Sequence, residues 1–315
     1  MCLYPRIVVN QKYVPNKKNG GRPPFPVDPR VLAVAAGCGR CIECRKQKAR
    51  AWQIRISEDI KKHRNGKFVT LTLSTDNYKK LISEIEDCNP YTKENKMITL
   101  AMRRFLERWR KKYKKSVRHF MISELGGGRT EHIHLHGIIY CSDEQIKELD
   151  KIWSYGYVWK GYEINGKIIN FVNDQTGGYI TKYIQKMDEK HKYYNPVILC
   201  SKGIGNNYKH DKSKEYYRNN KGYKMNLPTY YKNKHFNDDE REKQWIELLN
   251  KEKRFILGRE IDISNGMEEY FKRLAIAQET NRNLGYGDNG NNWKRKYYEM
   301  KHREEIQQWR LREIE

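Results

Sequence analysis

Residues 118–140 have the sequence RHFMISELGGGRTEHIHLHGIIY. Two segments rich in β-branched and aromatic residues, 118–125 and 131–140, flank a run of three glycines, a pattern that predicts two antiparallel strands joined by a turn. In the second segment histidines alternate with apolar residues, and alternate residues of a strand share one face. This stretch therefore predicts a β-hairpin with three imidazoles, those of His132, His134 and His136, on a single face.

Imidazoles aimed at a common point are typical of a metal site, although three unrelated polar residues on an exposed face give the same pattern. With the turn centred near residue 128, Glu124 is expected opposite His132 and on the histidine face, whereas a slip of one residue would turn it away. One carboxylate with two or three imidazoles suits Mg²⁺ or Mn²⁺ in phosphoryl chemistry. The predicted ligands are His134, His136 and Glu124, with His132 as an alternative.

Hydrophobic periodicity predicts the elements around this hairpin. A strand is expected at 68–73 and helices at 43–62, 77–87, 95–115 and 143–153, with short aromatic-rich strands within 155–172. Residues 1–37 hold six of the nine prolines and are expected to form an extended arm. From about residue 237, charged amphipathic helices are expected to the end, interrupted by the Gly/Asn stretch 284–292.

Two tyrosines follow the glycine pair Gly177-Gly178 in a helical pattern. Tyr179 and Tyr183 are four residues apart and share a helix face, and Lys182 and Lys186 repeat that spacing on a neighbouring face. A tyrosine hydroxyl, with its usual pKa near 10, is a poor nucleophile unless a metal polarises the phosphate and cations stabilise the developing charge. In a chain with 23 tyrosines, such a pair is more often a packing feature.

The charge of the chain indicates a polyanionic partner. The 315 residues include 63 Lys and Arg against 39 Asp and Glu, a net charge of +24, and nucleic acid leads among the possible partners. We expect no membrane span and no signal peptide, because no apolar stretch is long enough. The predicted DNA-binding residues, for which a solvated helix face is the alternative, are Arg103, Arg104, Arg108, Arg110, Lys111, Lys112 and, in a Gly-rich turn, Lys202.

Three of the seven cysteines stand within seven residues. Cys38, Cys41 and Cys44 have the spacing C-x-x-C-x-x-C, and tetrahedral zinc requires a fourth ligand, for which Cys2 is the candidate. We expect a structural Zn²⁺ that ties the N-terminal segment to the first helix. Three free thiols and an iron–sulfur cluster are the alternatives.

The order of these motifs resembles HUH-type rolling-circle replication initiators, whose three successive motifs are similar to Phe68–Thr72, His134-Leu135-His136 and the tyrosine pair with its lysines. The finer pattern resembles the replication initiation proteins of microviruses, especially the gokushovirus type. That likeness extends over roughly residues 1–235 and includes the segments 1–5, 38–50, 201–205 and 227–231.

The resemblance implies an α+β fold with an antiparallel sheet flanked by helices, a Cys-rich N-terminal extension and a helical C-terminal tail. It also implies a nickase that holds the 5′ phosphate on tyrosine and leaves a 3′ hydroxyl as primer. His134 and His136 would hold the ion, and Tyr179 and Tyr183 would alternate as nucleophiles. The expected regions are an N-terminal arm with a basic helix (1–62), a nicking domain (63–235) and a helical region (236–315).

The expected partners are single-stranded or origin DNA and the host replication machinery, and the expected location is the host cell cytoplasm. Two other functions remain open on the sequence. A zinc-containing protein that binds nucleic acid without catalysis would share the charge and the cysteines. A metal-dependent nuclease that uses water would share the histidines and form no covalent link to DNA.

Overall fold

The computed structural model describes residues 1–86, 90–126, 132–185 and 194–287. The chain divides into two compact units. The first unit comprises Met1–Gln47, His210–Arg218 and Lys224–Glu315, and the second comprises Lys48–Lys209 and Asn219–Tyr223.

Short strands and longer helices alternate along the described chain. The strands are β1 Arg6–Val9, β2 Ala33–Ala36, β3 Gly66–Leu71, β4 Arg118–Leu125, β5 Ile133–Tyr140, β6 Val158–Trp159, β7 Tyr162–Ile164, β8 Lys167–Ile169, β9 Ile198–Cys200, β10 Tyr216–Arg218, β11 Lys224–Asn226, β12 Lys253–Ile256 and β13 Arg259–Asp262. The α-helices are α1 Ile42–Lys62, α2 Thr75–Ser83, α3 Pro90–Tyr113, α4 Asp143–Lys147, α5 Leu149–Trp153, α6 Asp174–Gln185, α7 Thr229–His235, α8 Asp238–Asn250 and α9 Glu268–Asn283.

A five-stranded sheet is the centre of the second unit. Its strand order is β6-β3-β5-β4-β9, and the neighbouring strands are antiparallel. The histidine-bearing strand β5 is therefore the middle strand, with β3 on one side and β4 on the other. A middle strand has both edges hydrogen-bonded, which holds its side chains in a fixed register.

The two faces of this sheet pack against different helices. Leu135 and Ile139 of β5 lie in one buried cluster with Phe105 and Trp109 of α3. Alternate residues of β5 point the other way, where Ile138 lies in a second cluster with side chains from α1 and α6. The sheet thus has an α3 face and an α1/α6 face, and the even-numbered residues of β5 belong to the α1/α6 face.

Gly137 of β5 makes the closest contact between strands. A Cβ built there would lie 2.0 Å from the Phe120 carbonyl oxygen, closer than two non-bonded atoms can approach. A side chain at this position would force β4 and β5 apart, so glycine is required beside the second histidine.

The predicted hairpin is present, with a different pairing. Strand β4 covers the predicted residues, and Glu124 lies opposite His134 rather than opposite His132. Ile122 likewise lies opposite His136, two residues along from the expected partner. The alternation of apolar residues fixes which side chains share a face, and a shift of two residues preserves that face. The alternation could therefore not exclude this error, whereas it did place Glu124 on the correct face.

Two expectations for the first unit were wrong. Residues 1–37 are not simply an extended arm, because β1 and β2 pair with each other in an antiparallel ladder. The region after residue 237 is not purely helical, because β12 and β13 form a hairpin. Its two turn residues, Leu257 and Gly258, have φ of 49° and 83°, as the tight turns of hairpins require. Near 143–153, two short helices replace the single helix expected there.

Of the helices in the described ranges, none combines the length and the apolar composition of a membrane-spanning segment.

Candidate active site

A carboxylate and two imidazoles meet on the α1/α6 face of the sheet. The Glu124 Oε2 atom lies 3.0 Å from His136 Nε2 and 3.4 Å from His134 Nε2. The ligand atoms of the three residues lie within 4.8 Å of one another. Their side chains are 12–21% exposed, so a small ligand in water can reach them. The site offers three ligands on one side and leaves the other side open.

The far side of each imidazole has its own contact. His136 Nδ1 lies 2.9 Å from the Thr70 hydroxyl, and His134 Nδ1 lies 3.2 Å from the His132 carbonyl oxygen. If each Nδ1 carries the proton and donates it to these oxygens, each Nε2 has a free lone pair directed at the common point. That is the tautomer in which a histidine coordinates a metal.

His132 does not join this group. Its ring stacks on Tyr78 of α2, with ring centroids 4.6 Å apart and planes 4° apart. His132 also precedes the first residue of β5. The predicted alternative ligand therefore lies outside the carboxylate–imidazole group, because the strand's alternation does not extend to it.

Helix α6 brings the two tyrosines to the histidines. Ile180 and Ile184, one helical turn apart, are buried against the sheet on this face. Gly177 and Gly178 allow a close approach to α1, because a Cβ at Gly178 would lie 3.3 Å from the Gln53 amide nitrogen. Packing of the isoleucines and the absence of side chains on the glycines together fix the helix across the sheet.

The tyrosine rings contact the ligand group directly. The Tyr183 ring stacks on His136 with centroids 4.6 Å apart and planes 6° apart. The Tyr183 hydroxyl donates a hydrogen bond of 2.9 Å to the Tyr179 hydroxyl oxygen. Burial, and then this hydrogen bond, raise the pKa of Tyr183 well above its usual value. Tyr179, in contrast, is 48% exposed.

The two predicted lysines of this helix differ in what is known of them. The Lys182 ammonium lies 5.9 Å from the centre of the Tyr179 ring, and its side chain is exposed. Lys186 lies outside the described residues. One cation is therefore placed beside the more exposed tyrosine.

The basic helix α3 covers the other face of the sheet. Its buried residues pack with Leu135 and Ile139, whose side chains point away from the histidines. Three of its predicted DNA-binding residues have partners inside the protein. Arg104 forms two hydrogen bonds with Glu84, Lys112 pairs with Glu148, and Arg108 binds the backbone oxygens of α5. The exposed side chains of this set are those of Arg103, Arg110 and Lys111.

Lys202 is exposed on a loop that a buried carboxylate anchors. Asp59 of α1 is fully buried and pairs with Arg118, and its Oδ1 accepts a hydrogen bond of 2.8 Å from the Gly205 backbone. Arg118 in turn donates a hydrogen bond of 2.9 Å to the Gly203 carbonyl oxygen. Burial alone would raise the pKa of Asp59, but the bonds from Arg118 and Gly205 outweigh it and lower that pKa.

Sequence reasoning missed an aromatic path beside Tyr179, which we define as Phe68, Trp159 and Tyr162. The Phe68 ring lies 5.5 Å from Tyr179 and 5.7 Å from Trp159, and Trp159 lies 5.9 Å from Tyr162. Tyr162 is 70% exposed. The density of aromatic residues between 155 and 172 was the available signal, but pairing them with Phe68 requires the sheet order.

The four cysteines of the first unit also meet. Cys2, Cys38, Cys41 and Cys44 place their sulfur atoms within 4.8 Å of one another. The predicted participation of Cys2 thus agrees with the arrangement of the thiols, all four of which are free. This group could hold a metal ion, as could the carboxylate–imidazole group.

One comparison with known proteins gives a match. Residues 66–188 match a family model that is described as replication-associated protein ORF2. The matched stretch runs from the first residue of β3 through α6, so it contains Glu124, both histidines and both tyrosines. No curated protein and no solved structure matches the chain. The match is consistent with a role in replication and associates that role with the part of the chain that carries the candidate site.

Proposed function

We propose that this protein starts replication of a small single-stranded DNA phage by nicking and rejoining origin DNA through a 5′-phosphotyrosine. The observation that carries the proposal is the stacking of Tyr183 on His136, 4.6 Å between centroids, within a group of three potential metal ligands. A phenol beside an open cation site is the arrangement that tyrosine attack on a phosphodiester needs. The match to a replication-associated family supports the biological setting.

The residues present fit a divalent cation. Glu124, His134 and His136 supply one oxygen and two nitrogens, and the Thr70 and His132 oxygens favour the metal-binding tautomers. A mixed oxygen and nitrogen set suits Mn²⁺, with Mg²⁺ as the other candidate. Such a cation supplies polarisation of the scissile phosphate and stabilisation of the charge that develops on it.

We assign the first attack to Tyr179. Its hydroxyl is the more exposed of the two, and its oxygen accepts the hydrogen bond from Tyr183, so negative charge on that oxygen already has a donor. The Tyr179 oxygen bonds to phosphorus while the bond to the 3′ oxygen breaks, and the 3′ oxygen leaves as a hydroxyl after gaining a proton. The phenol proton passes to solvent. Tyr183 then attacks the regenerated origin in the second round.

The aromatic path favours a single-stranded substrate at this site. Its three rings lead from Tyr179 to solvent, and unpaired bases stack on such rings, each contributing about 1–3 kcal/mol. The exposed residues of α3 lie on the opposite face of the sheet and belong to a different surface of this unit. We therefore propose that the single strand near the cut follows Phe68, Trp159 and Tyr162 rather than α3.

A covalent capture assay tests the proposal. The protein is incubated with Mn²⁺ and a library of random single-stranded oligonucleotides carrying a 3′ dye, then denatured. We expect dye that migrates with the wild-type protein, and sequencing the captured DNA gives the cleaved site. Tyr179→Phe should reduce capture at least ~10³-fold, whereas Tyr183→Phe should retain the first cleavage and lose rejoining. Tyr223→Phe, which alters an exposed tyrosine elsewhere in the second unit, is the matched control.

The outcomes separate the alternatives. Cleavage without protein-bound dye would indicate a nuclease that uses water. Binding without cleavage, on any sequence in the library, would indicate a non-catalytic binding protein. Capture that survives in Tyr179→Phe and disappears in Tyr183→Phe would reverse the assigned order and leave the nickase intact.

A further inference from the structure

The nicking chemistry makes no use of the four cysteines of the first unit, yet their sulfur atoms are arranged as ligands. The Cys2 and Cys41 sulfurs are 3.9 Å apart, as are those of Cys38 and Cys44. Zinc–sulfur bonds of about 2.3 Å in a tetrahedron place sulfur atoms about 3.8 Å apart. A disulfide would need about 2.05 Å between sulfurs. The observed distances fit four separate thiolates around one ion.

The backbone around the cluster favours thiolates. The Cys2 sulfur accepts hydrogen bonds from the Tyr4 and Cys38 backbone N–H groups at 3.3 and 3.2 Å. The Cys38 sulfur accepts from Arg40 and Cys41 at 3.5 and 3.3 Å. N–H groups that converge on sulfur stabilise its negative charge, which a metal-bound sulfur carries and a thiol does not.

The position of the cluster in the fold favours the same charge. Cys41 precedes the first residue of α1 and Cys44 lies in its first turn, where the helix dipole favours negative charge. Gly39, with φ of +75°, forms the turn that returns the chain from Cys38 to Cys41. The peptide geometry needed to bring these sulfurs together is thus present in the chain itself.

We propose that the four cysteines bind one structural Zn²⁺. Four sulfur ligands complete a tetrahedron and leave no position for substrate or water, so the ion has no catalytic role. An iron–sulfur cluster with several irons does not fit, because each thiolate would bind a different iron and the sulfurs would lie farther apart than 4.8 Å. A single iron with the same four ligands is the remaining competitor, and metal analysis distinguishes it.

The zinc would fasten the start of the chain inside the first unit. Leu3 and Tyr4, next to Cys2, are buried with residues of α9. The Tyr4 hydroxyl donates to the Gln278 carbonyl oxygen at 3.1 Å, and the Gln278 amide donates to the Leu3 carbonyl oxygen at 2.8 Å. Asn281 accepts from the Ile42 N–H at 2.9 Å at the start of α1. The ion therefore links three segments that are far apart in sequence.

Metal content measured on the full-length protein tests the proposal. The protein is produced in medium containing both zinc and iron and is purified without an affinity tag or chelator. Elemental analysis and native mass spectrometry should give one Zn²⁺ per chain that resists brief EDTA treatment. The His134→Ala/His136→Ala double variant should keep this zinc, Cys41→Ser should lose it, and the control Cys200→Ser should keep it. These readings do not depend on nicking.

Cobalt substitution covers the case in which Cys41→Ser does not fold. Wild-type protein reconstituted with Co²⁺ should show the intense near-ultraviolet sulfur-to-cobalt bands and the visible bands of a tetrahedral thiolate site, and adding Zn²⁺ should abolish them. Protein that carries iron in place of zinc would overturn the identity of the metal. Wild-type protein that carries no metal, or zinc that disappears with the histidines and survives Cys41→Ser, would overturn the site.

Discussion

The four thiols of the first unit and the carboxylate–imidazole group of the second unit both bring ligand atoms within 4.8 Å, but their surroundings differ. The thiols form a complete set of four, with Cys41 fully buried and backbone N–H groups directed at sulfur. The second group has three ligands, is partly exposed and has a tyrosine ring stacked on it. A complete ligand set fits a structural ion, whereas an incomplete one beside a nucleophile fits catalysis.

The largest expected effect separates the two groups by function. His136→Ala removes one of the three ligands and the ring on which Tyr183 stacks. We expect the rate of covalent capture at saturating Mn²⁺ to fall at least ~10³-fold, equivalent to about 4 kcal/mol of transition-state stabilisation. Zinc content and the midpoint of thermal unfolding should stay near the wild-type values. Loss of zinc from this variant would contradict the separation of the two groups.

The next effect concerns stability of the first unit alone. Cys44→Ser breaks the tetrahedral set, and we expect a loss of several kcal/mol, part of the roughly 10 kcal/mol or more that zinc supplies to small zinc domains. Limited proteolysis should then cut within residues 1–47 while fragments from 48–209 persist. Cys200→Ser serves as the control, since its sulfur lies in β9 of the other unit. Equal resistance of the two variants to proteolysis would show that the thiols contribute little.

The contrast between complete and incomplete groups recurs within the second unit. Asp59 is buried and has both Arg118 and the Gly205 N–H as partners, whereas Glu124 faces imidazoles and solvent. The pKa of Asp59 is lowered in the fold, so its pair contributes stability above the unfolded pKa near 3.9 and loses it as the pH falls toward the folded value.

Asp59→Asn therefore should act on stability and spare the chemistry. At pH 7 we expect a loss of about 3–5 kcal/mol, because Arg118 keeps its charge without a partner. The difference from wild type should shrink as the pH falls below 4, when the wild-type carboxylate becomes protonated. Denaturant unfolding at pH 7 and pH 3 measures both values. Glu124→Gln is the comparison, and it should reduce capture with little change in unfolding.

The sequence predicted the site better than it predicted the surroundings. Alternation of apolar residues places Glu124, His134 and His136 on one face whether or not the register is correct, since errors of two residues preserve the face. The sheet order that makes β5 central, and the path from Phe68 to Trp159, depend on contacts between distant segments. Periodicity carries no information about such contacts.

Two other features were beyond periodicity for local reasons. The strands β12 and β13 have four residues each and are mostly charged, so they resemble the helices on either side. Arg104 and Arg108 look like any cation on a basic helix, and only the fold shows that Glu84 and the α5 carbonyls bind them. A run of positive charge therefore overestimates how many of its members are free for DNA.

The smallest expected effect tests whether the open site depends on its supporting residue. Thr70→Val removes the hydroxyl that lies 2.9 Å from His136 Nδ1 and keeps the shape of the side chain. Loss of such a partner weakens metal binding about 10–100-fold, because the imidazole is no longer held in one orientation and tautomer. Capture should therefore need more Mn²⁺ and recover at saturation. Thr72→Val, which removes a hydroxyl bound to the Tyr157 carbonyl oxygen, should leave the Mn²⁺ dependence unchanged. If Thr70→Val lowered the rate equally at every Mn²⁺ concentration, Thr70 would act on the tyrosines or the DNA rather than through His136.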